Sequence, residues 1–189
     1  MRKVVSWLFI SLDGVVDAPG EWQQPEYFDQ DMIAALEEQT AAEDAMLLGR
    51  VTYQEWEPYW PTSTDEPYAS HINQIPKYVV SRTLESVDWG KWEKPILIKE
   101  NLAEEINKLK AQPGKNITVG GSPSLVRSLL QDGLLDELKL MIHPIILGKG
   151  KRLFTDDLNL TRLQFVDSKV TGAGIVIVTY QPAKSEGEK

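Results

Sequence analysis

The sequence predicts an α/β fold: a mainly parallel sheet with helices on both faces and an antiparallel C-terminal edge. Three observations carry this. Short apolar runs alternate with amphipathic stretches through the first two thirds of the chain. Glycine or proline punctuates the ends of those runs, at Gly14, Gly49, Gly120 and Gly133. In the last third, strand-like segments follow one another with glycine turns and no long helix between them.

Lys3 to Ile10 is dense in Val, Trp, Leu, Phe and Ile with little alternation, as expected of a strand covered on both faces, and Asp13-Gly14 ends it. Between Asp29 and Thr40, Met32, Ile33, Ala35 and Leu36 recur at helical spacing opposite Glu37, Glu38 and Gln39. Ala45 to Leu48 is a second strand, ended by Gly49-Arg50. Thr52 to Trp56 begins a helix that Pro58 and Pro61 stop. The segment from Pro61 to Pro67 is a loop, and Tyr78-Val79-Val80 and Ile96-Leu97-Ile98 are two short strands. Neither is amphipathic enough to be an exposed edge. Asn101 is placed to cap a helix in which Leu102, Ile106 and Leu109 share a face and Glu104 and Lys108 form an i,i+4 pair. Ile117-Thr118-Val119 is a strand that runs into Gly120-Gly121-Ser122-Pro123, with Ser122 as cap and Pro123 at the first helical position. Leu125, Val126, Leu129 and Leu130 follow at core spacing, and Gly133 closes that helix. Leu138, Leu140 and Ile142 alternate with Lys139, Met141 and His143, and Ile175 to Tyr180 is a further strand. Gly148-Lys149-Gly150 and Gly172-Ala173-Gly174 are turns. The first five strands are thus expected to alternate with crossover helices, in one domain over residues 1–182, with a polar, disordered tail at 183–189.

Composition removes several function classes. The 189 residues include no cysteine, which excludes disulfide frameworks, thiolate metal sites and thiol nucleophiles. The net charge of −8 and a pI near 4.9 leave no basic stripe for nucleic acid. The apolar start at Val4 lacks a small-residue cleavage pattern and is too short to span a bilayer. A cytoplasmic protein acting on a small molecule is expected, so Asn116-Ile117-Thr118 and Asn159-Leu160-Thr161 are chance sequons.

Ligands of open α/β sheets collect at the carboxyl ends of strands. Four such ends are informative: Ser11-Leu12-Asp13-Gly14, Gly49-Arg50-Val51-Thr52, Ser81-Arg82-Thr83 and Gly120-Gly121-Ser122. Two combine a strand, a glycine and a helix start, which suits a diphosphate. Arg50 and Arg82 in an acidic chain point to a pocket for one extra phosphate. Neither G-x-G-x-x-G nor G-x-x-x-x-G-K-[ST] occurs, so a nucleotide has to be held by glycines from separate strands. No metal-binding spacing is present. His71 and His143 form no nucleophile–base arrangement and read as structural histidines. Trp22, Tyr27, Trp56, Tyr59 and Trp60 read as core or rim aromatics, with Trp22 close enough to the S-L-D-G loop to cover a planar ring.

The segments L-L-G-R-V-T-Y (Leu47 to Tyr53), V-V-S-R-T-L (Val79 to Leu84), V-G-G-S (Val119 to Ser122) and P-I-I-L-G-K-G-K-R-L-F (Pro144 to Phe154) together resemble the dihydrofolate reductase superfamily, in the branch containing the riboflavin-biosynthesis reductase C-terminal domain. The resemblance covers the chain up to about Tyr180. It implies a three-layer αβα fold with an eight-stranded sheet, NADPH laid across the strand ends, and homodimerisation. Gly49, Arg50 and Thr52 would border the diphosphate and adenosine phosphate. Ser81 and Arg82 would hold the 2′-phosphate, and Gly120, Gly121 and Ser122 would cradle the diphosphate. Leu12, Asp13 and Gly14 would lie beside the nicotinamide, with Asp13 as the polar group nearest the reacting centre. Folate-reducing relatives place a carboxylate near the start of the first helix; Asp29, Asp31 and Glu37 do not match that position and read as a solvated helix face. The expected function is NADPH-dependent hydride transfer to a C=N or C=O of a pterin- or aminopyrimidine-like heterocycle. The missing carboxylate motivates the alternative of an NADPH- or pterin-binding protein without turnover.

Overall fold

The computed structural model describes residues 1–156 and 158–183, so most of the tail read at 183–189 lies outside the described residues. Eight strands form one sheet in the order β4-β3-β2-β5-β1-β6-β8-β7. They are β1 (Val4–Ser11), β2 (Glu43–Gly49), β3 (Lys77–Val80), β4 (Ile96–Ile98), β5 (Asn116–Gly121), β6 (Glu137–His143), β7 (Leu163–Val170) and β8 (Val176–Pro182). The pairings β1·β5, β1·β6, β2·β5, β2·β3 and β3·β4 are parallel, and β8 pairs antiparallel with both β6 and β7. The antiparallel C-terminal edge is therefore present as expected.

Helices cover both faces. A short α1 (Pro19–Trp22) precedes α2 (Gln30–Ala42), α3 (Arg50–Trp56), α4 (Tyr68–Gln74), α5 (Leu102–Ala111) and α6 (Pro123–Gln131). Strand side chains alternate between faces. Val4, Leu8, Leu47, Ile117, Val119 and Leu138 pack with Ile106 and Leu109 of α5 and Leu125, Val126, Leu129 and Leu130 of α6 in one large cluster. On the opposite face the core is split in two. Met46, Leu48 and Val79 meet Tyr53 of α3 and Ile72 of α4 at one end. Met141 and Ile177 meet Met32, Ala35 and Leu36 of α2 at the other. Among the described residues no helix is long and apolar enough to cross a membrane.

The structure corrects several local expectations. β4 is an edge strand, and Ile96 is 55% exposed there. No crossover helix joins β3 to β4: residues 81–95 form an irregular loop that inserts Val87 and Trp89 into the core instead. The four-residue and three-residue lengths of β3 and β4 explain how a loop alone can span them. Asn101 stands at φ 55 and its side chain caps nothing; the left-handed backbone turns it away from the first N–H groups of α5. The Ser122 hydroxyl engages Ser124 Oγ at 2.8 Å rather than the backbone of α6. Asp29, by contrast, caps α2 by accepting from the Met32 N–H at 2.9 Å. Glu104 does pair with Lys108, at 2.8 Å. Helix α4 and the outer strand β7 were not legible beforehand. Seven of the eight residues from Leu163 to Val170 are exposed, so β7 lacks the burial pattern of the inner strands.

Lys77 holds the C-terminal turn of α4 to β3. Its ammonium is buried, lies 4.9 Å from the centre of the Trp89 ring, and donates to the carbonyls of Ile72 (2.7 Å), Asn73 (3.1 Å) and Ile75 (2.7 Å). Burial pushes this amine down to about 8, the Glu93 carboxylate pulling weakly the other way. Lys77→Met keeps the apolar stem and leaves those carbonyls without a donor. It should destabilise the fold by about 1–3 kcal/mol in urea denaturation; an unchanged midpoint would show that the bonds contribute nothing.

Candidate functional site

The gap between the two clusters on the α2–α4 face is a consequence of β5. The residues β5 presents there are Thr118 and Gly120, too small to reach the helices above. Trp7 and Phe9 of β1 and Met46 of β2 flank them. A cavity of about 1030 Å³ fills the space between this strip, α2, α3 and α4. It opens upward at the carboxyl ends of β1, β2 and β5.

Those ends form a topological switch point. From β2 the chain leaves to α3, on the cavity face, whereas from the neighbouring β5 it leaves to α6, on the opposite face. Backbones approach closely here. A Cβ on Gly49 would sit 2.8 Å from the Ser122 nitrogen, and one on Gly121, whose φ is +123, would sit 2.6 Å from Thr52 Oγ1. Only glycine allows this contact between β2, β5 and α3. The Gly121–Ser122 peptide is cis.

The structure brings most of the sequence-derived residues together in two adjoining spaces. Gly49, Arg50, Ser81, Arg82 and Ser122 line a shallow groove of about 340 Å³. Thr52, Gly120, Gly121 and Ser122 line the large cavity, so Ser122 marks the junction. Ser81 is buried and its Oγ accepts from the N–H groups of Thr83 (3.2 Å) and Leu84 (3.1 Å), which fixes the turn that presents Arg82. The Arg82 side chain is exposed, and Arg50 reaches Gln54 Oε1 at 3.0 Å.

Leu12, Asp13 and Gly14 are apart from both spaces. Leu12 is 63% exposed. The Asp13 carboxylate accepts from Ser11 Oγ (2.7 Å) and from the N–H groups of Leu147 (3.1 Å) and Gly148 (2.9 Å), and it faces Arg152 Nη2 at 3.4 Å. Arg152 Nε also donates to the Asp13 carbonyl at 2.9 Å. The Ser11 hydroxyl, and after it the N–H groups of Leu147 and Gly148, hold the Asp13 carboxyl well below the usual carboxylate range. The group ties the turn after β1 to the loop carrying Gly148 and Gly150, and that loop in turn supplies Gly150, Lys151 and Arg152 to the cavity rim.

Asp29, Asp31 and Glu37 stay outside the cavity lining. Asp29 accepts from the Ala173 N–H at 2.7 Å in addition to its cap, and Lys169 holds Asp31 at 2.7 Å, drawing its carboxyl down. His143 is fully buried with Phe9, Trp22 and Tyr27 edge-on around it at 5.7, 5.1 and 5.1 Å, and burial pushes its imidazole down. Trp22 is therefore packed under the sheet end, its Nε1 bonded to the Asp17 carbonyl at 2.9 Å, and is not free to cover a ring. His71 differs from that expectation. It lines the cavity, and its Nε2 lies 2.6 Å from Glu43 Oε1. Glu43 is buried at the start of β2 and also takes the hydroxyl of Thr118 and, at 3.4 Å, the amide of Gln39. The only sequence signal for this cluster is an acid where an apolar strand begins.

Comparison with known proteins places this geometry. The RibD C-terminal domain matches residues 2–177. The uncharacterized protein YyaP of Bacillus subtilis (strain 168) is 32% identical over 188 residues, covering 95% of this chain and 94% of YyaP. Among solved structures, a pyrimidine reductase-like protein of Corynebacterium diphtheriae superposes with a TM-score of 0.69 at 20% identity, covering 97% of this chain and 93% of the other. The dihydrofolate reductase of Enterococcus faecalis, complexed with NADP(H), gives 0.62 at 14% identity over 96% and 97%. Both likenesses establish the fold.

Because the folded-state value of Asp13 lies below its unfolded value of 3.8, its contribution to stability is present above that value and fades as pH falls through the folded range. Asp13→Asn should therefore lower the melting temperature at neutral pH, with a difference from the unaltered protein that shrinks on acidification below about pH 4. A difference constant from neutral to strongly acidic pH would remove the ionic role.

Proposed function

As the chain belongs to the RibD C-terminal domain family, a reductase family of the dihydrofolate reductase-like fold, we propose that it is an NADPH-dependent reductase of a small planar heterocycle of the aminopyrimidine or pterin class. The observation that supports this best is the convergence of Gly49, Arg50, Ser81, Arg82 and Ser122 on one groove that opens into the cavity at Ser122. Close-packed glycines admit a diphosphate to the backbone, and the N-terminal turn of α6 offers free N–H groups to it. An exposed guanidinium beside the hydroxyls of Ser81 and Thr83 suits a 2′-phosphate, for which charged donors favour NADPH over NADH. The bound dinucleotide would supply the hydride. The chain's own residues orient the ring over the small strip of Thr118 and Gly120, and the aromatic walls Trp7, Phe9 and Trp56 exclude water. In this reading Leu12 and Gly14 lie outside both spaces, and Asp13 acts by fixing the loop that brings Gly150, Lys151 and Arg152 to the cavity rim rather than by donating a proton. A cytoplasmic location and a homodimer accord with the same family reading.

Titration calorimetry with NADPH and NADH tests it. The unaltered protein should prefer NADPH, and Arg82→Ala should lose about 1.5–3 kcal/mol with NADPH while changing NADH little. Arg50→Ala should act in the same direction. Equal losses for both dinucleotides would remove the 2′-phosphate assignment, and absence of heat with either would refute the cofactor. A Gly121→Ala protein, which must displace Thr52, should bind NADPH at least 10-fold more weakly, a change of about 1.4 kcal/mol or more.

A further inference from the structure

The reading above leaves one chemical need unfilled. Reducing a C=N bond requires a proton as well as a hydride, and the carboxylates at the start of α2 are occupied elsewhere. Asp13 is fixed as an anion in the loop. We propose that His71, oriented by Glu43, is the proton donor to the reduced substrate; this rests on the reductase reading and adds the residue that completes it.

Four features of the cavity carry the assignment. First, His71 is the imidazole that lines it, and imidazole is suited to giving and regaining a proton near neutrality. Second, Glu43 occupies Nε2 at 2.6 Å, so the ring is held in one orientation with Nδ1 left for a ligand. Third, Glu43 is itself held. Its other oxygen takes the Thr118 hydroxyl from β5 and the Gln39 amide from α2, so the carboxylate cannot swing away from the imidazole. Fourth, Gln39 Oε1 is buried without a partner beside this pair, an acceptor waiting for an N–H that the protein does not supply. A cluster serving only the fold would have little reason to leave a buried acceptor unmet beside this bonded pair. The side chain of His71 keeps 25% of its surface exposed, which gives it contact with water for reprotonation, whereas that of Glu43 keeps 3%.

The step balances as follows. The substrate carbon of C=N accepts a hydride from the dihydronicotinamide, and the π electrons move to nitrogen. That nitrogen forms an N–H bond with the proton leaving His71 Nδ1. The substrate is reduced by two electrons and the nicotinamide oxidised by two, and the neutral imidazole then takes a proton from water. Glu43 acts as a positioning residue, holding Nε2 while Nδ1 exchanges the proton.

The test uses the full chain with 5-amino-6-(5-phosphoribosylamino)uracil and 7,8-dihydrofolate as probes. His71→Gln should slow steady-state reduction roughly 100-fold in kcat. Its NADPH dissociation constant should stay within about twofold of the unaltered protein, which also reports that the variant is folded. Added imidazole should restore part of the rate to His71→Ala. Glu43→Gln should lower kcat with little change in KM, because it disorients the ring without removing a substrate contact. A readout independent of turnover comes from long-range 15N spectra: the Nδ1 resonance of His71 should move when either probe is added to the NADP⁺ complex. An unchanged kcat in His71→Gln, or reduction of neither probe together with an unmoved Nδ1 resonance, overturns the assignment and leaves the cofactor site standing. Failure of the unaltered protein to bind NADPH overturns the reductase reading, and the proton-donor role with it.

Discussion

The strip of small side chains along β5 is the constraint from which the rest follows. On the flanking strands β1 and β2, bulky residues point to both faces and pack under the helices. At Thr118 and Gly120 the sheet offers nothing to pack against, so the apolar cover divides into a cluster over β2 and β3 and another over β1, β6 and β8. Burying apolar area drives both clusters together, but neither can spread across a strand without side chains. A cavity at the middle of the sheet is the structural result. The same strand then ends in Gly121, where loss of the Cβ lets α3 approach within contact of the backbone.

The two spaces divide the chemistry between them. The groove beside Arg82 is shallow, polar and open, as a phosphate-bearing ligand requires. The cavity combines apolar walls, among them Trp7, Phe9, Met46 and Trp56, with polar groups both at its mouth and at the end formed by α2, α4 and the start of β2. An acidic chain can still present basic groups locally: Arg82 is exposed beside the groove, and Arg127, Lys151 and Arg152 reach the cavity mouth, where Asp17 pairs with Lys151 at 3.3 Å and Asp13 faces Arg152 at 3.4 Å.

Much of this architecture was legible in the sequence because it depends on local chemistry. β1, β2 and β5 are largely buried and read as apolar runs, β6 reads as an alternating strand, and α5 and α6 show their core faces at the expected spacing. Gly49, Gly120, Gly121 and Ser122 were identifiable because glycine at a strand end has few other uses. What stayed hidden depends on long-range placement. β7 is an exposed edge, so its residues carry no burial pattern to read. α4 is a seven-residue helix whose end is fixed by Lys77 reaching back from the next strand. The Glu43–His71 contact joins residues 28 apart through the α3–α4 crossover, and nothing near either position in the chain announces the other. Asp13 lies where the strand end led one to look, but its carboxylate turns toward the 147–152 loop, a direction that only the folded contacts define.

The central claim is that loops from β2, β3 and β5 converge on one dinucleotide, with its reactive ring delivered over Thr118 and Gly120. A crystal structure of the NADPH complex tests it most directly. The expected result is the 2′-phosphate between Ser81 and Arg82, the diphosphate against Gly121 and Ser122, and the nicotinamide inside the cavity. A dinucleotide bound elsewhere, or a nicotinamide pointing away from the cavity into solvent, would contradict it.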